Sequence, residues 1–191
     1  YYFSPQKAFG SDGGLWIAAL PPAAIDRAYG IAQSTSLEGV LRWIPPFLSL
    51  KSAIENSRKD QTLNTPAIAT LIMLNEQLQW LTNNGGMAWA TARCAKNASL
   101  LYQWAEQSDY AHPFVADPAL RSNSVVTIDL DDRINAKQVT AALRENGILD
   151  TSGYRKLGRN QLRVGVFPSV EPADVAALTN GVDYVVGQLW E

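Results

Sequence analysis

The sequence predicts an α/β fold that ends in a small α/β sandwich. Leucines and alanines between residues 71 and 105 recur at spacings of three and four, which is the period of helices with one apolar face. Beyond Pro113, apolar and polar residues alternate in the segments 125–130 and 162–167, which is the period of a strand. A helical pattern follows each of these segments, so we expect the sandwich to run from about residue 108 to the end.

The bulk composition is that of an ordinary globular protein. The 191 residues are 47% hydrophobic and 18% charged, with a formal net charge of -2 and a pI of about 5.4. A chain of this length can bury a core, and its charge does not favour a nucleic-acid partner. The one cysteine, Cys94, excludes an internal disulfide and fits a reducing, cytoplasmic setting. No apolar run approaches the roughly 20 residues that span a bilayer, so no membrane partner is expected.

The chain opens on aromatic residues. It lacks an initiator Met and a signal-peptide pattern, and it begins with Tyr1, Tyr2 and Phe3, which are typical of a buried strand. We therefore expect further protein to precede them. The apolar run Leu15–Leu20, between glycine and proline pairs, predicts a second buried strand, and Pro22 opens a helix after it.

Helices dominate the middle of the chain. Ser34–Pro46 is predicted as a loop, and Phe47–Asn56 as a short helix. Thr65 is predicted as the N-cap of the next helix, with Pro66 as its first residue, and this helix ends at Asn84-Gly85-Gly86. A longer helix that could link two domains follows, with one apolar face made of Ala90, Cys94, Ala98, Leu101 and Ala105.

The last third of the chain alternates between strand and helix patterns. Asn135 caps a helix that stops at Gly147, and Ile148–Leu149 is predicted as a short strand. Pro172 opens the final helix. Its predicted apolar face consists of Val175, Leu178, Val182, Val185 and Leu189. His112 is predicted to lie in a loop, and as the only histidine it gives a metal site little to build on.

The first candidate for chemistry is Lys7, in the segment Ser4–Gly10. A lysine amine can bind an aldehyde cofactor covalently when it is fixed at the end of a strand, with small residues that admit the cofactor ring. Gly10, Gly13 and Gly14 supply that room. Without further information, however, a lysine in a turn is usually an exposed surface residue.

A second motif covers the same residues. Ser4-Pro5-Gln6-Lys7 matches S-x-x-K, the serine nucleophile motif of β-lactamases and penicillin-binding proteins. That motif requires a later S-D-N and a K-T-G. Ser11-Asp12-Gly13 lies too close to the lysine, and K-T-G is absent from the sequence, so this alternative is disfavoured.

Three segments together resemble one enzyme family. Tyr2–Gly14 resembles the lysine segment of the phosphoserine aminotransferases, which belong to the fold-type I, class V enzymes that depend on pyridoxal phosphate. Asn64-Thr65-Pro66 is similar to the second signature of this family, and Tyr154-Arg155-Lys156 with Gln161-Leu162-Arg163-Val164 is similar to the third. The segments occur in family order, and the resemblance covers essentially the whole chain.

The resemblance implies a division into domains. Residues 1–85 would be the C-terminal part of the large domain that binds pyridoxal phosphate. Residues 86–107 would be a linking helix, and residues 108–191 the small C-terminal domain.

The resemblance also implies roles for single residues. Lys7 would bind pyridoxal phosphate covalently and then carry the proton of the substrate α-carbon. Gln6 would contact the cofactor phosphate, and Asn64 and Thr65 would bind that phosphate in the neighbouring subunit of a homodimer with sites at the subunit interface. Arg163 would bind the substrate α-carboxylate. Without the resemblance, Thr65 is a plain N-cap and Arg163 an ordinary solvated arginine on a sheet face.

The chain departs from the better-known branch of this family in one place. That branch binds the substrate phosphate with a His-Arg pair, and this chain has Tyr154-Arg155 in its place. The stretch between this pair and Arg163 is also two residues longer than in that branch. The resemblance assigns the phosphate to Arg155, whereas Tyr154, Lys156 and Arg159 stay open. Nucleic acid is a disfavoured partner for this basic cluster, because the chain is acidic and aromatic stacking motifs are missing around it.

The resemblance implies amino transfer between O-phospho-L-serine and 2-oxoglutarate, giving 3-phosphohydroxypyruvate and L-glutamate. This reaction belongs to serine biosynthesis, and a parallel step in pyridoxine biosynthesis stays open. The alternatives are a related class V transaminase with a non-phosphorylated substrate and a non-catalytic dimerisation or binding module. We expect the chain alone to be inactive, because the acidic partner of the pyridinium nitrogen and the upstream phosphate-binding loop lie outside it.

Overall fold

A computed structural model describes residues 1–34, 39 and 43–190, apart from the side chain of Trp190. These residues form two compact units. The first unit consists of Tyr1–Gln6 and Ser11–Asn75, and the second consists of Lys7–Gly10 and the chain from Glu76 onward.

The first unit begins with a short two-stranded ribbon. β1 (Tyr2–Phe3) pairs antiparallel with β2 (Ile17–Ala18). The strand predicted over Leu15–Leu20 is therefore shorter than expected, and neither strand is buried. Tyr2 is 78% exposed, so its predicted burial is wrong. The physical reason is that each strand of a two-stranded ribbon has only one neighbour, which leaves much of its side-chain surface uncovered.

Two helices follow the ribbon. α1 (Pro22–Ala32) begins at Pro22 as predicted. α2 (Leu50–Ser57) follows a 3-10 turn over Pro46–Leu48, so it begins three residues later and ends one residue later than the predicted helix. The side chain of Ser49 caps α2 by accepting a hydrogen bond from the Ser52 N–H at 3.2 Å. Most of the loop predicted for Ser34–Pro46 lies outside the described residues.

The third helix, α3 (Ile68–Asn83), begins later than the sequence predicts. The Leu71 N–H donates to the Ala67 carbonyl at 3.1 Å, so Ala67 occupies the N-cap position, and the assignment of Thr65 as N-cap is wrong. The Thr62 hydroxyl donates to the Asn64 carbonyl at 2.5 Å. Such local bonds from side chain to backbone compete with helix formation and keep this segment out of the helix.

α4 (Gly86–Gln107) is the long helix that the sequence predicts. Its N-cap Gly85 and its first residue Gly86 have φ of 115° and 65°, and this left-handed backbone, readily open only to glycine, breaks the chain direction after α3. Cys94, Ala98 and Leu101 lie on its buried face as predicted. Ala105, also predicted there, is buried as well, and the face further holds Asn97 and Tyr102, whereas Ala90 is only partly buried.

A three-stranded antiparallel sheet forms the centre of the second unit. β3 (Ala111–Pro113), β4 (Val125–Leu130) and β5 (Gln161–Gly165) lie in this order. The predicted inward residues of β4 and β5 are buried, namely Val126, Ile128, Leu130, Leu162 and Val164. His112 was predicted to lie in a loop, but it lies in β3 and pairs with Asp129 of β4.

Two further helices complete the sandwich. α5 (Ala136–Glu145) begins after Asn135, whose side chain accepts a hydrogen bond from the Lys137 N–H at 3.0 Å. α6 (Pro172–Trp190) begins at Pro172 as predicted. Its residues Val175, Leu178, Val182 and Val186 join the hydrophobic core that the sheet forms with α4 and α5. Leu189, predicted on the same face, is 51% exposed because the buried stripe passes through Val186 instead.

The predicted short strand at Ile148–Leu149 is not formed. The Ile148 N–H donates to the Leu143 carbonyl at 2.9 Å, and Gly147 has a φ of 85°. This is the hydrogen bond that closes a helix C-terminus over a left-handed glycine, so the backbone of Ile148 completes α5 instead of pairing in the sheet.

The loop between α5 and β5 is fixed at both ends. At one end, the Arg163 N–H donates to the Thr151 carbonyl at 2.9 Å. At the other end, the Asn160 side chain accepts a hydrogen bond from the Ala136 N–H at 2.9 Å. Its amide nitrogen also donates to the carbonyls of Leu130, Asp131 and Ile134. The loop therefore leaves and rejoins the sandwich at defined points.

The space at Gly153 predicts that a larger residue there destabilises the fold. A Cβ at Gly153 would lie 2.9 Å from the Gln161 carbonyl oxygen, so the backbone of β5 would have to move. Gly153→Ala should lower the free energy of unfolding by about 1–3 kcal/mol, measured by urea denaturation.

The matched control is Gly187→Ala, because Gly187 lies in α6 with open space where an added Cβ would lie. Alanine favours a helix over glycine by about 1 kcal/mol, so this change should leave stability equal or higher. Equal denaturation midpoints for Gly153→Ala and the unmodified protein would contradict the close approach.

Candidate active site

All predicted site residues except Gln6 line one of two clefts, one in each compact unit. A cleft of about 940 Å³ in the second unit is lined by Lys7, Tyr154, Arg155 and Arg163 among others, and we call it the lysine cleft. A cleft of about 800 Å³ in the first unit is lined by residues of the segment 57–71 that include Asn64 and Thr65, and we call it the Asn64 cleft. Gln6 is exposed and precedes Lys7 in a turn.

Lys7 projects from a tight turn. The Gly10 N–H donates to the Lys7 carbonyl at 2.9 Å, and Gly10 has a φ of 72°. A Cβ at Gly10 would lie 3.1 Å from Oε1 of Gln77, so this position combines a left-handed backbone with a close neighbour. Of the glycines expected to leave room, Gly13 has open space around it. The turn exposes the Lys7 side chain to the cleft.

Hydroxyl groups fix the backbone on both sides of this turn. The Ser4 hydroxyl donates to the Leu15 carbonyl at 2.7 Å. The Ser11 hydroxyl donates to the Thr70 carbonyl at 2.9 Å, and the Thr70 hydroxyl donates to the Gly13 carbonyl at 3.2 Å. Sequence reasoning assigned no role to Ser11 or Thr70, because they lie 59 residues apart and neither belongs to a motif.

Arg163 occupies the position in β5 that the alternating pattern predicts. It pairs with Thr127 of β4 and is partly buried, whereas its neighbours Leu162 and Val164 lie in the core. The Cζ atom of Arg163 lies 5.7 Å from the centre of the Tyr154 ring. The guanidinium therefore has an aromatic neighbour within the cation–π range in the same cleft.

The basic cluster that the sequence predicts is divided in the structure. Arg159 donates to both carboxylate oxygens of Asp129, at 3.1 and 2.7 Å, and lies 4.9 Å from the Phe114 ring centre. These bonds raise the pKa of the Arg159 guanidinium above its usual value. Within the described residues, Arg155 and Arg163 line the lysine cleft, and Lys156 and Arg159 do not.

Helix α4 fixes another wall of the lysine cleft. Nδ2 of Asn97 donates to the Val170 carbonyl at 2.9 Å, and Nε of Arg93 donates to the same oxygen at 3.1 Å. Val170 lines the cleft, and the Arg93 guanidinium also pairs with Glu171. Asn97 is fully buried, and it interrupts the apolar face of α4 in the sequence. A polar residue within an apolar stripe is the signal by which this contact could have been predicted.

The residues present fit pyridoxal phosphate. The aldehyde of that cofactor reacts with a primary amine, which Lys7 supplies in the lysine cleft. Its phosphate requires polar or cationic donors. The Asn64 cleft offers an amide and a hydroxyl just before the start of α3, where backbone N–H groups lack partners within the helix.

The described part of the chain contains neither a metal-binding cluster nor a membrane-spanning helix. Over residues 1–34, 39 and 43–190, the structure holds no group of three His, Cys, Asp or Glu side chains that could bind a metal ion. No helix in those same ranges has the length and apolarity required to cross a membrane.

Comparisons with known proteins agree with this chemistry. Residues 47–166, more than half of the chain, match the family model described as Aminotransferase class-V. The phosphoserine aminotransferase of Rhodococcus opacus (strain B4) is 58% identical over 189 residues, which cover 99% of this chain and 49% of that relative. The chain thus spans about half the length of the curated relatives it matches.

Solved structures of aminotransferases share the fold. A phosphoserine aminotransferase from Cytophaga hutchinsonii superimposes with a TM-score of 0.80 at 20% identity, over 96% of this chain and 48% of that one. A pyridoxamine-pyruvate aminotransferase from Mesorhizobium loti gives the same TM-score at 18% identity, over 100% of this chain and 47% of that one. At these identities the similarity shows the fold and leaves the substrate open.

The predicted α/β fold of the fold-type I enzymes that depend on pyridoxal phosphate is thus confirmed. The family model covers the segment from α2 to β5, which includes the Asn64 segment and Arg163. The chain belongs to the class-V aminotransferase family.

Proposed function

We propose that the protein is a phosphoserine aminotransferase. It would transfer the amino group between O-phospho-L-serine and 2-oxoglutarate, giving 3-phosphohydroxypyruvate and L-glutamate. The observation that carries the proposal is that Lys7, Arg155 and Arg163 line one cleft, so that an amine and two guanidinium groups face the same space. The 58% identity to a protein named phosphoserine aminotransferase supports the choice of substrate.

Pyridoxal phosphate, when bound, supplies the electron sink that allows a bond at the substrate α-carbon to break. Lys7 would hold the cofactor through its Nζ atom and, once the substrate has displaced it, accept the α-proton at the same atom. The tight turn closed by the Gly10 N–H on the Lys7 carbonyl keeps the base of the side chain in place for both tasks. Gln6, Asn64 and Thr65 would bind the cofactor phosphate.

Arg163 would bind the carboxylate that all amino and keto acid substrates share. Its guanidinium presents parallel N–H donors that match the two oxygens of a carboxylate. Its position on β5 is fixed by backbone pairing to β4, with Arg163 opposite Thr127, which holds the donor group at a constant depth in the cleft.

Arg155 would bind the phosphate of the substrate side chain. It lies in the turn that the Leu157 N–H closes on the Tyr154 carbonyl at 2.9 Å, and it lines the same cleft as Arg163. Arg159 is not assigned to this contact, because it does not line the lysine cleft among the described residues and the donors on one edge of its guanidinium are bonded to Asp129. One exposed guanidinium would therefore distinguish phosphoserine from serine.

Several features of the whole protein belong to the same proposal. It would act as a cytoplasmic homodimer in serine biosynthesis, and a step in pyridoxine biosynthesis stays open. Asn64 and Thr65 would serve the active site of the neighbouring subunit. Residues 1–85, 86–107 and 108–191 would be the end of the large domain, the linking helix and the small domain. Turnover would require parts of the longer protein that this chain does not contain.

The role of Lys7 predicts where the cofactor becomes attached. Borohydride makes a reversible bond between pyridoxal phosphate and an amine permanent, so peptide mapping of the full-length protein should find the label on Lys7. Addition of phosphoserine before reduction should remove the label, because the substrate displaces Lys7 from the cofactor.

The matched control is Lys51→Arg, because Lys51 is a surface lysine paired with Glu55 in α2, and this variant should label normally. Lys7→Arg should abolish labelling. A label on Lys7 that phosphoserine does not remove would retain the transaminase and reject the substrate. Absence of label on Lys7 would leave a dimerisation or binding module that shares the fold.

The roles of Arg163 and Arg155 predict different losses. Arg163→Gln should lower kcat/KM about 10- to 100-fold for every amino donor, since a hydrogen-bonded charge pair to a shared carboxylate is lost. Arg155→Gln should lower kcat/KM by a similar factor for phosphoserine only. The measurement compares phosphoserine, serine and alanine as donors in steady-state assays.

Arg133→Gln is the control, because Arg133 pairs with Asp131 on the surface and does not line either cleft among the described residues. Its kinetics should match those of the unmodified enzyme. Higher activity of the unmodified enzyme with serine or alanine than with phosphoserine would favour the transaminase with a non-phosphorylated substrate.

A further inference from the structure

Tyr154 and Arg163 form a pair within the lysine cleft. The Cζ atom of Arg163 lies 5.7 Å from the Tyr154 ring centre, and both residues line the cleft. The Tyr154 side chain is about half exposed, and Arg163 is partly buried. A cation beside an aromatic ring at this distance is attracted by the negative face of the ring.

The backbone on both sides of this pair is fixed. Arg163 lies in β5, and its N–H donates to the Thr151 carbonyl at 2.9 Å. Tyr154 begins the turn closed by Leu157 and follows Gly153, where a Cβ would meet the Gln161 carbonyl at 2.9 Å. The backbone contacts therefore keep the Tyr154 ring and the Arg163 guanidinium next to each other.

The two neighbouring arginines of this region are held in different ways. Arg159 has both carboxylate oxygens of Asp129 as partners, which occupy the donors on one edge of its guanidinium. Among the residues that the structure describes, Arg163 forms no ion pair, and Tyr154 is its aromatic neighbour. An aromatic ring attracts the cation without occupying its N–H donors, so those donors stay available for a carboxylate.

We propose that Tyr154 is the positioning residue for Arg163, holding the guanidinium by its ring while the N–H donors face a carboxylate in the lysine cleft. The inference rests on the proposed function for the identity of that carboxylate. The ring, rather than the hydroxyl, does the positioning. Tyr154 thus serves every substrate through the shared carboxylate and does not select for the phosphate.

The experiment measures binding of glutarate, a dicarboxylate that cannot react, to the full-length holoenzyme by calorimetry. Tyr154→Leu and Tyr154→Gln should raise the Kd of glutarate about threefold to tenfold, which is the range expected for a cation–π contact. Tyr154→Phe, which keeps the ring, should stay within about twofold of the unmodified enzyme. Thermal unfolding of each variant checks that the fold is retained.

Steady-state kinetics provide the second readout. In both non-aromatic variants, KM should rise for phosphoserine and for 2-oxoglutarate while kcat changes little, and the preference for phosphoserine over serine should be retained. A loss confined to phosphoserine would show that Tyr154 contacts the phosphate and would overturn the inference. A fall in kcat with unchanged KM and unchanged glutarate binding would do the same.

The other outcomes separate this inference from the proposed function. A Tyr154→Phe variant as weak as Tyr154→Leu would assign the effect to the hydroxyl and overturn the positioning by the ring. If the unmodified enzyme binds glutarate but transfers no amino group from phosphoserine, the proposed function fails, and the Kd series still decides the role of Tyr154. Failure of the unmodified enzyme to bind glutarate overturns the inference itself.

Discussion

The register between β4 and β5 is the constraint on which the candidate site depends. Val126 and Ile128 face the core, so their partners Val164 and Leu162 must face it as well. Arg163, between those two partners, then points to the other side of the sheet. A slip of one residue would exchange the two faces, place a guanidinium in the core and remove it from the cleft. Burial of the aliphatic residues therefore determines where the Arg163 guanidinium lies.

The same strand pair also fixes the loop that approaches the cleft. Asp129 lies opposite Gln161, and its carboxylate accepts hydrogen bonds from Gln161 and from Arg159. Next to them, the Asn160 side chain fastens the loop to the start of α5. Arg159 thus ties the end of the loop to β4 through Asp129. The loop can then present Arg155 and Tyr154 from a backbone that is fixed on both sides.

Local patterns in the sequence were sufficient for most of the second unit. The alternation along β4 and β5 predicted the two strands and the outward position of Arg163, because strand periodicity depends only on which face is buried. The N-cap residue Asn135 and the first helical residue Pro172 predicted the starts of α5 and α6 for a similar reason. Their signals lie within a few residues of the helix ends.

Contacts between distant residues could not be predicted in the same way. The partner of Arg159 lies 30 residues away in Asp129, and the tie between Ser11 and Thr70 spans 59 residues. The predicted start of α3 is wrong, although Thr65 is a residue type that favours the N-cap position. The hydrogen bond from the Thr62 side chain to the Asn64 backbone competes with helix formation in this segment. The roles of Lys7, Gln6 and Arg155 came from the family resemblance, and the chain's own pattern does not distinguish them from surface residues.

The central claim is that Lys7 and Arg163 serve one site. A crystal structure of the full-length protein with pyridoxal phosphate and glutarate bound tests this claim directly. We expect continuous density between the Lys7 Nζ atom and the cofactor, with a glutarate carboxylate within about 3.2 Å of the Arg163 guanidinium. A Lys7 side chain in solvent, or a carboxylate bound away from Arg163, would contradict it.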